Sequence, residues 1–263
     1  MKSLHKVIDI IEIISDHGSI GTRELSYKSG YPPATTSRIL TTLQARNYIQ
    51  KDPLTKKYAL SLKFLELGTK VQRQCNIARI ARPYIEKLMK DTRENANLCA
   101  LAGDDVIYLD HVHSDEHMLQ CFTSLGTRVP LYATSVGKAL LSQRRESEIK
   151  AYLKRIKPIS FTEKTCVTKA KLVDELRKVK DKGYALDNEE REAGIRCIGA
   201  PIYDHRGQCN AAISVSGPTL RLTDSRIEEL GKTVKKYALQ ISERIGYRLT
   251  GKKDSLSSLR YHS

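Results

Sequence analysis

His111 and His113 stand two residues apart in an apolar run that begins at Val106, a spacing that puts both imidazoles on one side of a β-strand. His117 follows shortly after. Neutral imidazole is a good ligand for zinc and similar ions, so this region is a candidate metal site. Three histidines around an acidic turn also read as ordinary surface. Cys197 is a second chemical candidate, a thiol nucleophile if His111, His113 or His205 serves as its base. Taken alone, a cysteine in an apolar run reads equally as core. No nucleophile elbow, phosphate loop or dinucleotide fingerprint accompanies it. None of the cysteines Cys75, Cys99, Cys121, Cys166, Cys197 and Cys209 is at C-x-x-C spacing, so reduced, mostly buried thiols are expected. The chain is not expected to be an enzyme or to need a cofactor.

These residues lie in a part of the chain with mixed rhythm. Positions 84–93 pattern as an amphipathic helix, and 97–101 and 106–112 as strands around Gly103-Asp104-Asp105, a hairpin signature. A further strand is expected at 118–122. Helices fit 136–143, 146–153 and 169–182. Strands fit 198–203 and 211–215, joined by the turn Asp204-His205-Arg206-Gly207. A long helix runs from Asp224, a good N-cap, to Ile245. The run 189–192 reads as solvated charge, with Arg196 pairing one of its glutamates. The expected fold class is α+β, an antiparallel sheet flanked by helices.

The first sixty residues have a different pattern. Leu4, Val7, Ile8, Ile11 and Ile14 make one apolar helical stripe ended at Gly18. Thr22 is the expected N-cap of a short second helix carrying Leu25, closed by Ser29-Gly30. Pro32-Pro33 opens a third, with Ile39, Leu40 and Leu43 buried. Strands at 48–51 and 57–60 form a basic hairpin. This order is a winged helix-turn-helix, which places its third helix in the major groove of DNA. The expected DNA contacts are Thr22, Arg23, Pro33, Ala34, Thr35, Ser37, Arg38, Thr41 and Thr42, with Lys51, Lys56 and Lys57 on the wing. Docking to protein instead of DNA is the alternative for such a module. Leu62 to Ile80 extend a broken helical pattern, interrupted at Gly68 and ending at Pro83, that can pair with a second copy.

Composition sets limits. At 263 residues the chain can hold two domains with cores of their own. The formal net charge is +15, yet residues 1–60 carry nine basic and five acidic residues, only +4 of that excess. Attraction to a polyanion is supported, but it is spread over the molecule. Trp is absent. No apolar run approaches the roughly 18 residues that span a bilayer, and no signal peptide is seen, so a cytoplasmic protein without membrane contact is expected.

The stretch from Pro130 to Leu141, with Ala133-Thr134-Ser135-Val136-Gly137-Lys138-Ala139 at its centre, is similar to the central motif of the IclR family of bacterial transcription regulators. So are Gly183-Tyr184-Ala185-Leu186-Asp187-Asn188-Glu189-Glu190, Gly194-Ile195-Arg196-Cys197-Ile198-Gly199-Ala200-Pro201 and Ile213-Ser214-Val215-Ser216-Gly217-Pro218. The resemblance covers about residues 3–247. It implies a winged helix-turn-helix at 1–62, a linker helix at 63–83, a GAF-like effector domain at 84–250 and a basic, flexible tail at 251–263. It also implies homodimers, paired as tetramers, on palindromic double-stranded DNA, and frequent repression. Effectors in the family are often small carboxylates, 2-oxo acids, sugar acids or aromatic acids.

Carried onto this chain, the family's pocket residues are Ser135, Val136, Asp187, Cys197, Ser214 and Ser216. The residues themselves agree in part. Ser214 and Ser216 alternate on one strand face. Gly137 opens a helix whose free N–H groups suit a carboxylate. Asp187, when ionised, accepts from a ligand hydroxyl. Leu131, Met118 and Leu186 can supply apolar walls. The chain departs from the family at Pro33-Ala34, at Ser37 and at Val136, so neither operator nor effector transfers directly. The expected function is a DNA-binding regulator, a repressor, controlled by a small carboxylate. The alternatives are a metal-responsive regulator using the His111/His113 region or the effector pocket, and a Cys-dependent enzyme.

Overall fold

Glycines and prolines punctuate the beginning of the chain. The computed structural model describes residues 2–74, 76–117 and 124–248. The strand expected at 118–122, with Met118, and the tail expected at 251–263 lie outside these residues. Two compact units are formed, Met1–Cys75 and Asn76–Ser263.

In the first unit, α1 (Lys2–His17), α2 (Thr22–Ser29) and α3 (Pro33–Ala45) precede β1 (Ile49–Lys51), β2 (Tyr58–Leu60) and α4 (Lys63–Gln74). Gly30, at φ +68°, ends α2 in the left-handed region that glycine adopts without strain. Pro33 takes the first position of α3, where its missing N–H would have no partner anyway. Thr22 is not the N-cap of α2: Gly21 is, without a side-chain bond, and Thr22 is the first helical residue. The buried stripe of α1 also differs from the expected one. Ile10 and Ile14 are fully buried, with Val7 and Ile11 packed alongside, whereas Leu4 and Ile8 face solvent. The helix has two apolar faces, and only the one toward Leu25, Leu40, Leu43 and Ile49 is covered here. β1 and β2 pair antiparallel, Gln50 opposite Ala59. Asp52 Oδ1 accepts from the N–H groups of Leu54 and Thr55 at 2.8 and 2.7 Å and closes the wing turn. Ile20 exchanges both backbone bonds with Tyr58, tying the wing to the α1–α2 turn.

Two breaks expected in the connecting segment are absent. Gly68 lies inside α4, and Pro83 lies inside α5 (Asn76–Thr92). A proline there removes one helical hydrogen bond. Ala81, Ile85 and Leu88 are fully buried, and that packing holds the helix through the fault.

The second unit is built on one antiparallel sheet. Its strands are β3 (Asn95–Ala102), β4 (Asp105–Val112), β5 (Arg128–Pro130), β6 (Ala185–Asn188), β7 (Ile195–Tyr203) and β8 (Cys209–Pro218). Their order across the sheet is β5-β4-β3-β8-β7-β6. The long α9 (Asp224–Arg244) packs with α5 and on β7, while α6 (Ser135–Ser142) crosses β7 and β8 and packs on α8 (Lys169–Lys182). α7 (Glu146–Arg155) sends Tyr152 and Leu153 into the same core as α6 and α8. The N-cap of α9 is Thr223; Asp224 begins the helix and pairs with Arg196 at 2.8 Å, so Arg196 does not pair with the 189–192 run. No helix among the described residues is long and apolar enough to cross a membrane.

Candidate functional site

The outer face of α3 is made by what its inner face must bury. Thr36, Ile39, Leu40 and Leu43 turn inward, which leaves Ala34, Ser37, Arg38, Thr41 and Thr42 in solvent and Thr35 half-buried. Thr41 and Thr42 donate to the carbonyls of Ser37 and Arg38, both at 3.0 Å, so each hydroxyl oxygen keeps acceptor capacity. Pro33 is exposed at the helix start. Arg23 is exposed on α2 and Thr22 half-buried beside it. Lys51, Lys56 and Lys57 are exposed on the wing, and Lys51 lies 5.1 Å over the Tyr58 ring. Such a surface offers cations for phosphates and short polar groups for base edges.

In the second unit, strand register assembles a polar row. Asp187 on β6 faces Cys197 on β7, Cys197 faces Ser216 on β8, and Ser216 faces Asn95 on β3. Two residues along, Gly199, Ser214, Asn97 and His111 form a parallel row on the same side. Over these rows lies the N-terminus of α6. A Cβ on Gly199 would sit 2.8 Å from the Val136 nitrogen, so only glycine lets the helix come this close. Gly137 has the same kind of role against the backbone of Leu131, where a Cβ would meet it at 2.4 Å. Its N–H is already taken by the Thr134 hydroxyl at 3.3 Å, so Gly137 shapes the site rather than offering a donor. Ser135 and Val136, in the first turn, have no intrahelical acceptor for their N–H groups.

Between the helix terminus and the sheet lies a cavity of about 450 Å³ lined by Tyr108, Thr127, Val129, Thr134, Ser135, Val136, Asp187, Arg191, Glu192, Ile195, Cys197 and Ser216, among others. Of the residues expected in the pocket, Ser135, Val136, Asp187, Cys197 and Ser216 line it together. Ser214 is buried behind the wall: Asn97 Nδ2 donates to Ser214 Oγ at 3.4 Å and to Ser216 Oγ at 3.2 Å. Leu131 is buried in the core with Tyr132, Leu140 and Leu153. Leu186 lies on the opposite side of β6 from Asp187. Sequence reasoning missed Tyr108, Thr127, Arg191 and the N-cap Thr134. It also missed Asn95 and Asn97, although asparagines in an otherwise apolar strand signal a buried polar site.

The run at 189–192 is not simply solvated. Glu190 is buried, and its Oε1 lies 2.5 Å from the Nζ of Lys138, a fully buried lysine on α6. Glu175 of α8 is the second anion on Lys138, also at 2.5 Å. Burial pulls the Lys138 ammonium down, but Glu190 and Glu175 outweigh it and the net shift is upward. Asp187 Oδ1 accepts from the N–H groups of Glu190 and Arg191 at 2.8 and 3.4 Å. Burial and the Glu190 charge nevertheless push its carboxyl up to about 7. Thr162 and Thr165 bond the backbone of 189–190, and Arg191 stacks 4.1 Å over Phe161, fixing this wall.

The histidines and Cys197 stand on different parts of the sheet. The His111 and His113 rings are 4.3 Å apart, and burial together with His113 lowers the His111 pKa. Among the described residues no three of His, Cys, Asp or Glu are placed to hold a metal ion. Cys197 lies on β7 and His111 on β4, with β3 and β8 between them, a separation of roughly 14 Å at the usual strand spacing. His205 sits in the exposed β7–β8 turn beside Arg206.

A winged helix-turn-helix with a polar recognition face, in one chain with an α+β unit that holds a helix-capped cavity, defines a DNA-binding regulator. The comparisons agree. Residues 3–53 match the IclR helix-turn-helix domain and residues 69–243 the bacterial transcriptional regulator IclR C-terminal domain, so the chain belongs to the IclR family of transcriptional regulators. It is 36% identical to the HTH-type transcriptional regulator BhcR of Paracoccus denitrificans strain Pd 1222, over 92% of this chain and 86% of that one. It is 31% identical to the transcriptional repressor IclR of Escherichia coli K12, over 92% and 89%. Among solved structures, IclR of Thermotoga maritima aligns with a TM-score of 0.74 and 33% identity, covering 94% of this chain and all of that one. An IclR homologue from Microbacterium hydrocarbonoxydans complexed with 4-hydroxybenzoate shares the fold, with a TM-score of 0.78 and 20% identity over 92% and 98% of the chains.

Proposed function

We propose that this regulator is a repressor whose operator affinity changes when a small carboxylate occupies the cavity under α6. One observation carries the reading: the first turn of α6, whose N–H groups have no intrahelical acceptor, supplies Ser135 and Val136 to the wall of a cavity of about 450 Å³ with polar and apolar lining. A helix N-terminus stabilises an anion through these donors and the helix dipole. Ser216, Tyr108 and Thr127 offer hydroxyls, and Val136, Val129 and Ile195 the apolar contacts, for the rest of a 2-oxo acid, sugar acid or hydroxybenzoate. The 4-hydroxybenzoate found with the Microbacterium homologue belongs to this chemical class.

On the DNA side, Arg38, Ser37, Thr41 and Thr42 read bases and phosphates from α3, with Thr35, Ala34, Pro33, Thr22 and Arg23 at the groove edge and the wing lysines on the backbone. A homodimer on a palindromic operator, paired into a tetramer, is the assembly this mode of reading favours. Control requires that the acid bind two arrangements of the protein unequally, since equal affinity shifts nothing. Genomic footprinting supplies the operator. Titrating that duplex and the protein with pyruvate, gluconate and 4-hydroxybenzoate then tests the reading. One acid is expected to change operator affinity severalfold. Unchanged affinity with all three rejects control by this class of ligand.

A further inference from the structure

Asp187 presents a difficulty for a carboxylate ligand. It is almost fully buried, lines the same cavity as the α6 N-terminus, and would repel an anion if ionised. The surrounding charges remove that difficulty. Lys138 of α6 is the cation behind Asp187, but two carboxylates already occupy it, Glu190 and Glu175 of α8. Glu190 and Glu175 therefore share one ammonium, and Asp187 feels that ammonium only as a nearby charge, smaller in effect than burial and the charge of Glu190. Glu190 is tied three residues from Asp187 by its own N–H bond to Asp187 Oδ1, and its Oε2 is buried without a partner. The other groups around Asp187 are Cys197 across the strand pair, Tyr108 of β4, and Arg191 and Glu192 at the cavity rim. Both rim charges are exposed to water, which screens them. Thr165 holds the Glu190 carbonyl, and Cys166 follows it with its thiol raised by burial and by Glu175.

We propose that Asp187 serves the pocket as a neutral acid that donates its proton to an oxygen of the carboxylate effector, kept neutral first by its burial and then by Glu190, the positioning residue held by Lys138. The inference rests on the effector reading above and names what that reading leaves open, the sense of the hydrogen bond at Asp187. Binding then retains a proton at the site. Acid affinity is constant below the midpoint of Asp187 and falls above it, by about tenfold per pH unit. The linkage to folding has the same origin. The folded pKa lies above the unfolded one, so stability falls as pH rises from about 4 to about 7 and is level beyond.

The test has two arms on the full-length chain. Carboxyl ¹³C NMR of the ligand-free protein, assigned by the resonance missing in Asp187→Asn, follows its titration directly. A midpoint near 7 is expected, moved down by about one unit or more in Glu190→Gln. A midpoint near 4 overturns the proposal. Calorimetric titration with pyruvate, gluconate and 4-hydroxybenzoate from about pH 6 to about pH 8.5 is the second arm. Asp187→Asn keeps a donor in the same place, so it is expected to bind the acid with little pH dependence while the wild type weakens as pH rises. Loss of binding in Asp187→Asn, with wild-type affinity level or rising with pH, identifies an ionised acceptor and also overturns the proposal. If none of the acids binds, the effector reading and the donor role both fall. The NMR arm still decides on its own whether Asp187 is neutral.

Discussion

The two units place their polar side chains in opposite settings. On α3, Ser37, Arg38, Thr41 and Thr42 stand in water, over a core that needs none of them. Around the cavity, Asp187, Ser216, Asn97, Glu190 and Lys138 are buried and hold one another in place. Under the proposed function, the partner explains the difference. DNA is large and arrives from outside, so its contacts remain solvated until binding. A small acid gains little area, so the groups that recognise it must be desolvated and oriented beforehand. Mutations should therefore separate the units: binding changes without loss of stability on α3, and coupled losses of stability and binding around the cavity.

The largest effect is expected at Lys138. Lys138→Ala leaves two carboxylates facing each other without their cation and should cost about 3–5 kcal/mol. Thermal unfolding of the full chain reads this, and an unaltered transition would mean the cavity wall does not depend on the buried pair. Gly199→Val comes next. Its side chain would have to displace the α6 terminus, costing about 1–3 kcal/mol and removing acid binding, with the reader left folded. Calorimetry and operator binding on one preparation check both halves of that statement.

Arg38→Ala is the corresponding change on the reader. It should weaken operator binding by about 1–3 kcal/mol with no change in melting temperature or acid affinity. A drop in thermal stability of similar size would erase the contrast between the units. The smallest effect belongs to Lys57→Ala on the wing. It should weaken binding to all duplexes alike and lower the slope of log affinity against log salt by about 1.

The reader was largely legible because each of its elements is local. Pro33 at a helix start, Gly30 at a helix end and the Ile39, Leu40, Leu43 spacing each act within a turn or two of chain. Longer helices gave the same result, and Lys169–Lys182 has the bounds its periodicity predicts. Reading failed where packing overrode a local rule. Pro83 lies within a helix because Ala81, Ile85 and Leu88 are buried, and Leu4 and Ile8 belong to the uncovered face of α1. The charged run at 189–192 misled for a similar reason. Its burial depends on a lysine about fifty positions earlier.

The sequence by itself determined the winged helix-turn-helix, the long strands β3, β4, β7 and β8 and the helices around them, since hydrophobic periodicity and turn residues are properties of neighbouring positions, whereas the short β5 and β6 were not expected. It also carried the family's motifs. Only the tertiary structure decided which polar groups meet. Strand order put two strands between Cys197 and His111, register aligned Asp187 with Cys197 and Ser216, and close helix–sheet contact at Gly199 set the α6 terminus over them. Such encounters join residues far apart in the chain, and each depends on how every intervening element packs.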